Sequence, residues 1–363
     1  MSTTADLAAE RAGDRAADRI VDRAAKRARL RPLIDRGGGR PLVLSSHEAL
    51  AWYLEGARTH VSLAGPPVLA VRVDADGDTL FVSANEAPRL IAEELVPGDV
   101  ERVVAVPWST PAVAAATGSG AALTEAEVAG ELRAARAELL PAETERYRRL
   151  GRDTAAAMTD AAAHWRPETT ERAAAADLAR ALVERGIDAL VVLAAGHGRL
   201  GHRHPLPTDA PLGRRAMVVV CGRRHGLIAN ATRWVGEAGA DDARILEVEA
   251  AFFAATRAGA RLDDVFAAGC AGYGTAGFDA DEWRRHHQGG PTGYAGRDPR
   301  ATSETTDLVS ARHAFAWNPS APGAKVEDTV VVTPAGIEVL TVDPRWPTVD
   351  HAGLARPAAL PFS

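Results

Sequence analysis

The chain has little cysteine. Only Cys221 and Cys270 occur in 363 residues, so no disulfide framework can be built, and a reducing cytoplasm is the expected compartment. It also lacks any apolar run near the roughly 20 residues that a membrane span needs, so no membrane partner is expected. The N-terminus has no h-region, which argues against a secretory signal, and Asp6, Glu10, Asp14, Asp18 and Asp22 argue against an acid-poor transit peptide. There is no excess of basic residues. A formal net charge of -6 excludes the basic face of a nucleic-acid binder. What is present is 46% hydrophobic content, ample for two domains with real cores.

Residues 1–30 are Ala-, Arg- and Asp-rich with mixed charge, and read as a helical or disordered tail. From Pro41 short β runs alternate with polar stops. Val68 to Val73 and Thr79 to Ser83 flank the turn Asp74-Ala-Asp-Gly-Asp78, a hairpin signal, and Val103 to Val106 forms a further strand. Glu48 to Tyr53 reads as a short helix. Residues 31–140 therefore form a small α/β domain. Residues 124–160 read as helices broken at Pro141, where a new helix starts with acids in its first turn. A helix capped by Thr169 or Thr170 runs to Val183 and is followed by a strand from Asp188 to Leu193. Strands at Ala216 to Gly222 and Gly226 to Arg233 follow, then helices over 241–257 and 263–271.

The stretch from Trp283 to Thr333 carries the chemistry. A His pair, His286 and His287, opens the Gly-rich segment Gln288-Gly-Gly-Pro-Thr-Gly-Tyr294, suited to a backbone that turns tightly beside a ligand. Asn318 precedes Pro319 and so sits in extended chain. Glu327 and Asp328 abut the β-branched run Val330 to Val332, which reads as a buried strand. A His, an amide and a carboxylate on consecutive segments are the makings of a site.

These residues resemble the C-terminal half of the creatinase, prolidase and aminopeptidase P superfamily, of M24 type and pita-bread fold. His287-Gln-Gly-Gly290 resembles its His-x-x-Gly segment, Phe315-Ala-Trp-Asn-Pro-Ser320 its Phe-x-x-Glu-Pro-Gly segment, and Val326-Glu-Asp-Thr329 its Ile-Glu-Asp-Thr segment. The resemblance implies an α/β (α+β) chain, a creatinase-like domain over 31–140 followed by a pita-bread catalytic domain over 141–355. It also implies a homodimer.

The metal-dependent members bind two divalent ions through two Asp, one His and two Glu, and the ions generate hydroxide. Only His287 and Glu327 match that set here. The segment ending Asn230-Ala-Thr-Arg233 resembles the family's two-Asp hairpin, but Asn230 replaces the second Asp and the first falls on Val219 or Val220. Asn318 replaces one Glu. No metal ligand set is therefore assigned and no cofactor is expected; manganese, cobalt or zinc would be the candidates if a metal is bound.

The loop before this hairpin carries His202 and His204. In creatinase, which uses no metal, a His in this place supplies the acid/base imidazole, and His204 is the match with His202 as runner-up. The resulting expectation is a metal-independent enzyme acting on a small polar substrate at a C–N bond, by hydrolysis or elimination. His204, His287 and Glu327 are catalytic in this reading. His202, Asn230, Arg233, His286, Gln288, Tyr294 and Asn318 bind substrate, Arg233 by gripping a carboxylate bidentately. Two alternatives stand beside it: a metal-dependent Xaa-Pro aminopeptidase or prolidase, and a non-catalytic ligand-binding pseudo-peptidase.

Overall fold

The computed structural model describes residues 22–363. The chain divides into two compact units, the first ending at Arg136 and the second beginning at Ala137. In the first unit a sheet has the order β4-β3-β2-β1-β5. Its strands are β1 Leu42–Leu44, β2 Leu69–Val73, β3 Asp78–Ser83, β4 Val103–Val106 and β5 Leu123–Thr124. The β2–β3 pairing is antiparallel, as the Asp-Gly turn predicts.

The expected tail needs correction where it is described. Residues 22–36 form a helix that belongs to the first unit, while residues 1–21 lie outside the described residues. Mixed charge suggested a solvated face, yet Lys26 is fully buried, bonding Glu55 at 2.8 Å and the Trp52 carbonyl at 2.6 Å. Arg23 pairs with Asp99 at 2.8 Å. Leu30, Leu33 and Ile34 complete the buried face of this helix.

The second unit opens with the helices Pro141–Ala162 and Glu171–Val183, the latter capped by Thr170. A sheet of order β13-β8-β7-β6 follows, from β6 Asp188–Ala195, β7 Arg215–Arg224, β8 Leu227–Gly236 and β13 Glu327–Asp328. The β7–β8 hairpin closes through His225 and Gly226, both at positive φ (51° and 79°), the primed turn that matches strand twist. A second sheet has the order β15-β14-β10-β9. It comprises β9 Gly289–Pro291, β10 Ala314–Trp317, β14 Val330–Thr333 and β15 Gly336–Val339. In the sequence between β10 and β13 stands a two-stranded ribbon of β11 Ser320–Ala321 and β12 Ala324–Lys325. A hairpin of β16 Thr348–His351 and β17 Leu354–Pro357 ends the regular structure. The chain past 355 is still part of this unit, because Leu360 bonds to Trp234 and Gly236 at the edge of β8.

The helices Asp242–Ala255 and Leu262–Thr275 pack against the second sheet. Phe252 stacks on Trp317 with ring centroids 4.5 Å apart, and the Trp317 indole donates to Thr256 Oγ1 at 3.0 Å. Gly269 is required here, since a Cβ would stand 2.2 Å from the Phe252 ring. This core anchors β10, and so fixes where Asn318 and Ser320 emerge.

His313 begins the turn into β10 and is buried, its Nδ1 accepting from the Ser310 amide at 3.3 Å. Burial lowers its pKa from 6.5 to about 4. The unfolded chain then binds more protons than the folded one below pH 6.5, so this group's contribution is complete above that pH. It is lost as pH falls towards 4, amounting to about 3 kcal/mol. Urea titrations of the wild type and His313→Gln across this range should show a shallower decline in the variant; equal slopes would refute the assignment.

Candidate functional site

Three imidazoles meet on one side of the second unit. Among the described residues, His204, His286 and His287 form the group of potential ligands whose nitrogen atoms lie within 4.8 Å of one another. The His204 and His286 Nε2 atoms are 3.2 Å apart, and His204 stacks on His287 with centroids 5.5 Å apart. His286 is buried, His287 half-buried and His204 exposed. His204 is held at the end of a well-anchored loop. Buried Glu171 accepts from the Gly196 and Thr208 amides at 2.8 and 2.9 Å, and also bonds Arg199. Arg203 bonds Glu282 and donates to Ser320 Oγ at 3.1 Å.

The backbone under the His pair needs glycine. Gly289 and Gly290 have φ of 91° and 135°, and a Cβ on Gly289 would lie 2.1 Å from the Ala316 carbonyl. This close approach of β9 to β10 brings Gln288 opposite Asn318, whose amide donates to the Gln288 carbonyl at 3.0 Å.

Beside the imidazoles lies a charged cluster. Glu327 is 2% exposed. Its Oε1 accepts from Arg297 at 2.7 Å; its Oε2 accepts from Lys325 at 3.0 Å and from Thr232 Oγ1 at 3.2 Å. Strand pairing explains the Thr232 contact, since Glu327 stands opposite Thr232 in the β13–β8 register. Arg297 also donates to Asn230 Oδ1 at 3.3 Å, while Asn230 Nδ2 donates to Thr292 Oγ1 at 3.1 Å.

Electrostatics tie the two clusters together. Burial works to raise the Glu327 pKa, but Lys325 and Arg297 outweigh it and hold the carboxyl at about 2. Burial and the Lys325 charge push His286 down to about 2, and burial with Arg297 and Arg300 pushes His287 down to about 4. His204 is lowered by burial and by Lys325. All three imidazoles are therefore neutral near pH 7. Cys221 lies opposite Asn230 in the β7–β8 register, and burial raises its thiol to about 12, which marks it as inert.

Several expectations are corrected. Arg233 cannot grip a substrate carboxylate, because it is buried and donates to Asp328 at 2.7 Å, to the Thr341 carbonyl at 2.6 Å and to the Thr232 carbonyl at 2.8 Å. Gln288 is spent inside the protein, accepting from Tyr273 at 2.8 Å and donating to the His286 carbonyl at 2.7 Å. Tyr294 donates to Glu143 at 2.6 Å. His202 is exposed and stands outside the three-His group. Glu327, expected to be catalytic, has both its oxygens already engaged by protein donors. Asn318 is buried, and its Oδ1 has no protein partner. Of the two positions open for the first acid, Val219 pairs with Thr232 and shares the site face, whereas Val220 pairs with Ala231 on the other.

Lys325, Arg297 and Ser320 were not anticipated. A signal for Lys325 existed: it stands two residues before Glu327, the spacing that puts side chains on one face of extended chain. Arg297 lies in a loop without periodicity, and nothing local betrays it.

The model of metallopeptidase family M24 matches residues 145–334, more than half of the chain. Among solved structures, dipeptidase PepE from Mycobacterium ulcerans is similar at a TM-score of 0.71 and 21% identity, covering 94% of this chain and 99% of that one. The prolidase from Pyrococcus horikoshii OT3 is similar at 0.70 and 14% identity, covering 88% and 99%. The Xaa-Pro dipeptidase from Bacillus anthracis follows at 0.69 and 14%, covering 89% and 98%. No curated protein matches in sequence. With most of the second unit matched by the family model and the two-domain α+β fold shared with these structures, the chain belongs to metallopeptidase family M24.

Proposed function

We propose that this chain is a hydrolase that works without the metal pair its family implies, acting on a small polar substrate at a C–N bond. The observation that carries this reading is the donor set. The positions that match the family's five ligands hold Val219, Asn230, His287, Asn318 and Glu327, which together offer one carboxylate. Two divalent ions beside a single negative charge would leave a large uncompensated charge in a cleft. The residues do not fit the metal pair.

In this reading His204 is the acid/base, being neutral and exposed at the edge of the cluster. His287 hydrogen-bonds and polarises the substrate. Its Nδ1 is buried without a protein partner, as is Asn318 Oδ1, and both await a polar group. Glu327 acts by holding Arg297 and Lys325 in place.

The hydrogen-bond chain behind His204 sets its tautomer. We infer that Ser320 Oγ, which accepts from Arg203, donates its own proton to His286 Nδ1 at 2.9 Å. His286 then carries its proton on Nε2 and donates it to His204 Nε2, leaving the His204 proton on Nδ1. His204 accordingly rests with its proton on Nδ1 and its Nε2 accepting from His286.

A second reading has one observation in its favour. Nitrogen ligands of a tetrahedral ion with bonds of about 2.0 Å lie about 3.3 Å apart, close to the 3.2 Å between His204 and His286. One ion held by the three imidazoles would meet the cationic field of Lys325, Arg297 and Arg300.

Two measurements test these statements. In a screen of dipeptides, small amides and guanidino compounds, turnover should survive exhaustive chelation, and His204→Ala should lower kcat about 10²–10⁴-fold without shifting the melting temperature. Turnover that requires manganese, cobalt or zinc would contradict the proposal. Nitrogen-15 spectra of the imidazoles should assign the Nε2–H form to His286 and the Nδ1–H form to His204. Ser320→Ala should release His286 into a mixture of tautomers, and a wild type already mixed would refute the chain.

A further inference from the structure

We propose that Arg297 and Lys325 are resident cations that take over the charge role of the divalent pair and close the site to such ions. This inference rests on the metal-free reading and names the groups that make it workable.

The geometry is specific. Each oxygen of Glu327 has its own cation, Arg297 at 2.7 Å on Oε1 and Lys325 at 3.0 Å on Oε2. Arg297 also reaches Asn230 Oδ1 at 3.3 Å, so one guanidinium joins two of the positions that match family ligands. The identity of residue 230 follows from this arrangement. Its Nδ2 faces the Ile228 carbonyl at 3.4 Å and Thr292 Oγ1 at 3.1 Å, which points the amide oxygen at Arg297. An aspartate there would set an anion against the Ile228 carbonyl, whereas the amide satisfies a donor on one side and an acceptor on the other.

Lys325 is equally committed. Its side chain is 4% exposed, and an ammonium so buried is tolerable only against a charge such as Glu327. A divalent ion approaching His287 and Glu327 would meet a guanidinium and an ammonium already bound to the same carboxylate. The loss of acids at 219, 230 and 318 and the presence of these two cations are then one coordinated exchange.

The test is whether ions can replace the cations once they are removed. Thermal melts and calorimetric titrations with manganese and with zinc would be run on the wild type, on Arg297→Gln/Lys325→Met, and on that variant with Glu327→Gln added. The wild type should not respond. The double variant should melt several degrees lower and recover at least half of that loss in millimolar manganese or zinc, and adding Glu327→Gln should abolish the recovery. Should the double variant not fold, Lys325→Met alone vacates one oxygen, and the same recovery is read on it. A wild type that binds either ion in a way that Glu327→Gln abolishes would overturn both this proposal and the metal-free reading. An inert wild type with variants that do not respond, or whose response survives Glu327→Gln, would overturn this proposal alone.

Discussion

A carboxylate that is 2% exposed cannot stay ionised on its own, and Glu327 is where this constraint falls. Its surroundings follow from that need. Lys325 precedes it on the same face of the chain, Arg297 reaches it from the loop after β9, and Thr232 meets it across the β13–β8 pairing. Asn230, held by Thr292 and the Ile228 carbonyl, supports the guanidinium from the other side. On the proposed reading these side chains supply the positive charge that Glu327 needs.

The next residue fixes the strand from behind. Asp328 points away from Glu327, as alternation along β13 requires, and accepts from Arg233 at 2.7 Å, Arg356 at 2.8 Å and Thr341 at 2.5 Å. Arg356 in turn makes two bonds to buried Glu249 on the helix Asp242–Ala255. Breaking one member of such a buried network costs about 3–5 kcal/mol, far more than an exposed pair. The two faces of one short strand thus carry separate tasks, a structural lattice on one side and the candidate site on the other.

Much of the second unit was legible because its cues are local. A continuous apolar run marked β7, Thr170 and Pro141 marked helix starts, and Gly289 with Gly290 marked the close approach beneath the imidazoles. The His204, His287 and Glu327 neighbourhood came from the resemblance of their segments to the family's. What the sequence concealed were long-range pairings. Arg233 and Gln288 look like site donors in one dimension, but their partners Asp328, Thr341 and Tyr273 become neighbours only in the fold. Lys26 looked solvated for the same reason, since its partner Glu55 is distant in sequence. Arg297 is the clearest case, a loop residue whose role depends wholly on where its guanidinium lands.

The central claim is that side-chain cations occupy the place of metal ions. It is tested most directly by a crystal structure grown in manganese and then in zinc, with anomalous data collected at each edge. The account predicts no anomalous peak within bonding distance of Glu327, and continuous density from Arg297 and Lys325 to its two oxygens. A peak between Glu327 and His287, with either cation displaced, would contradict it.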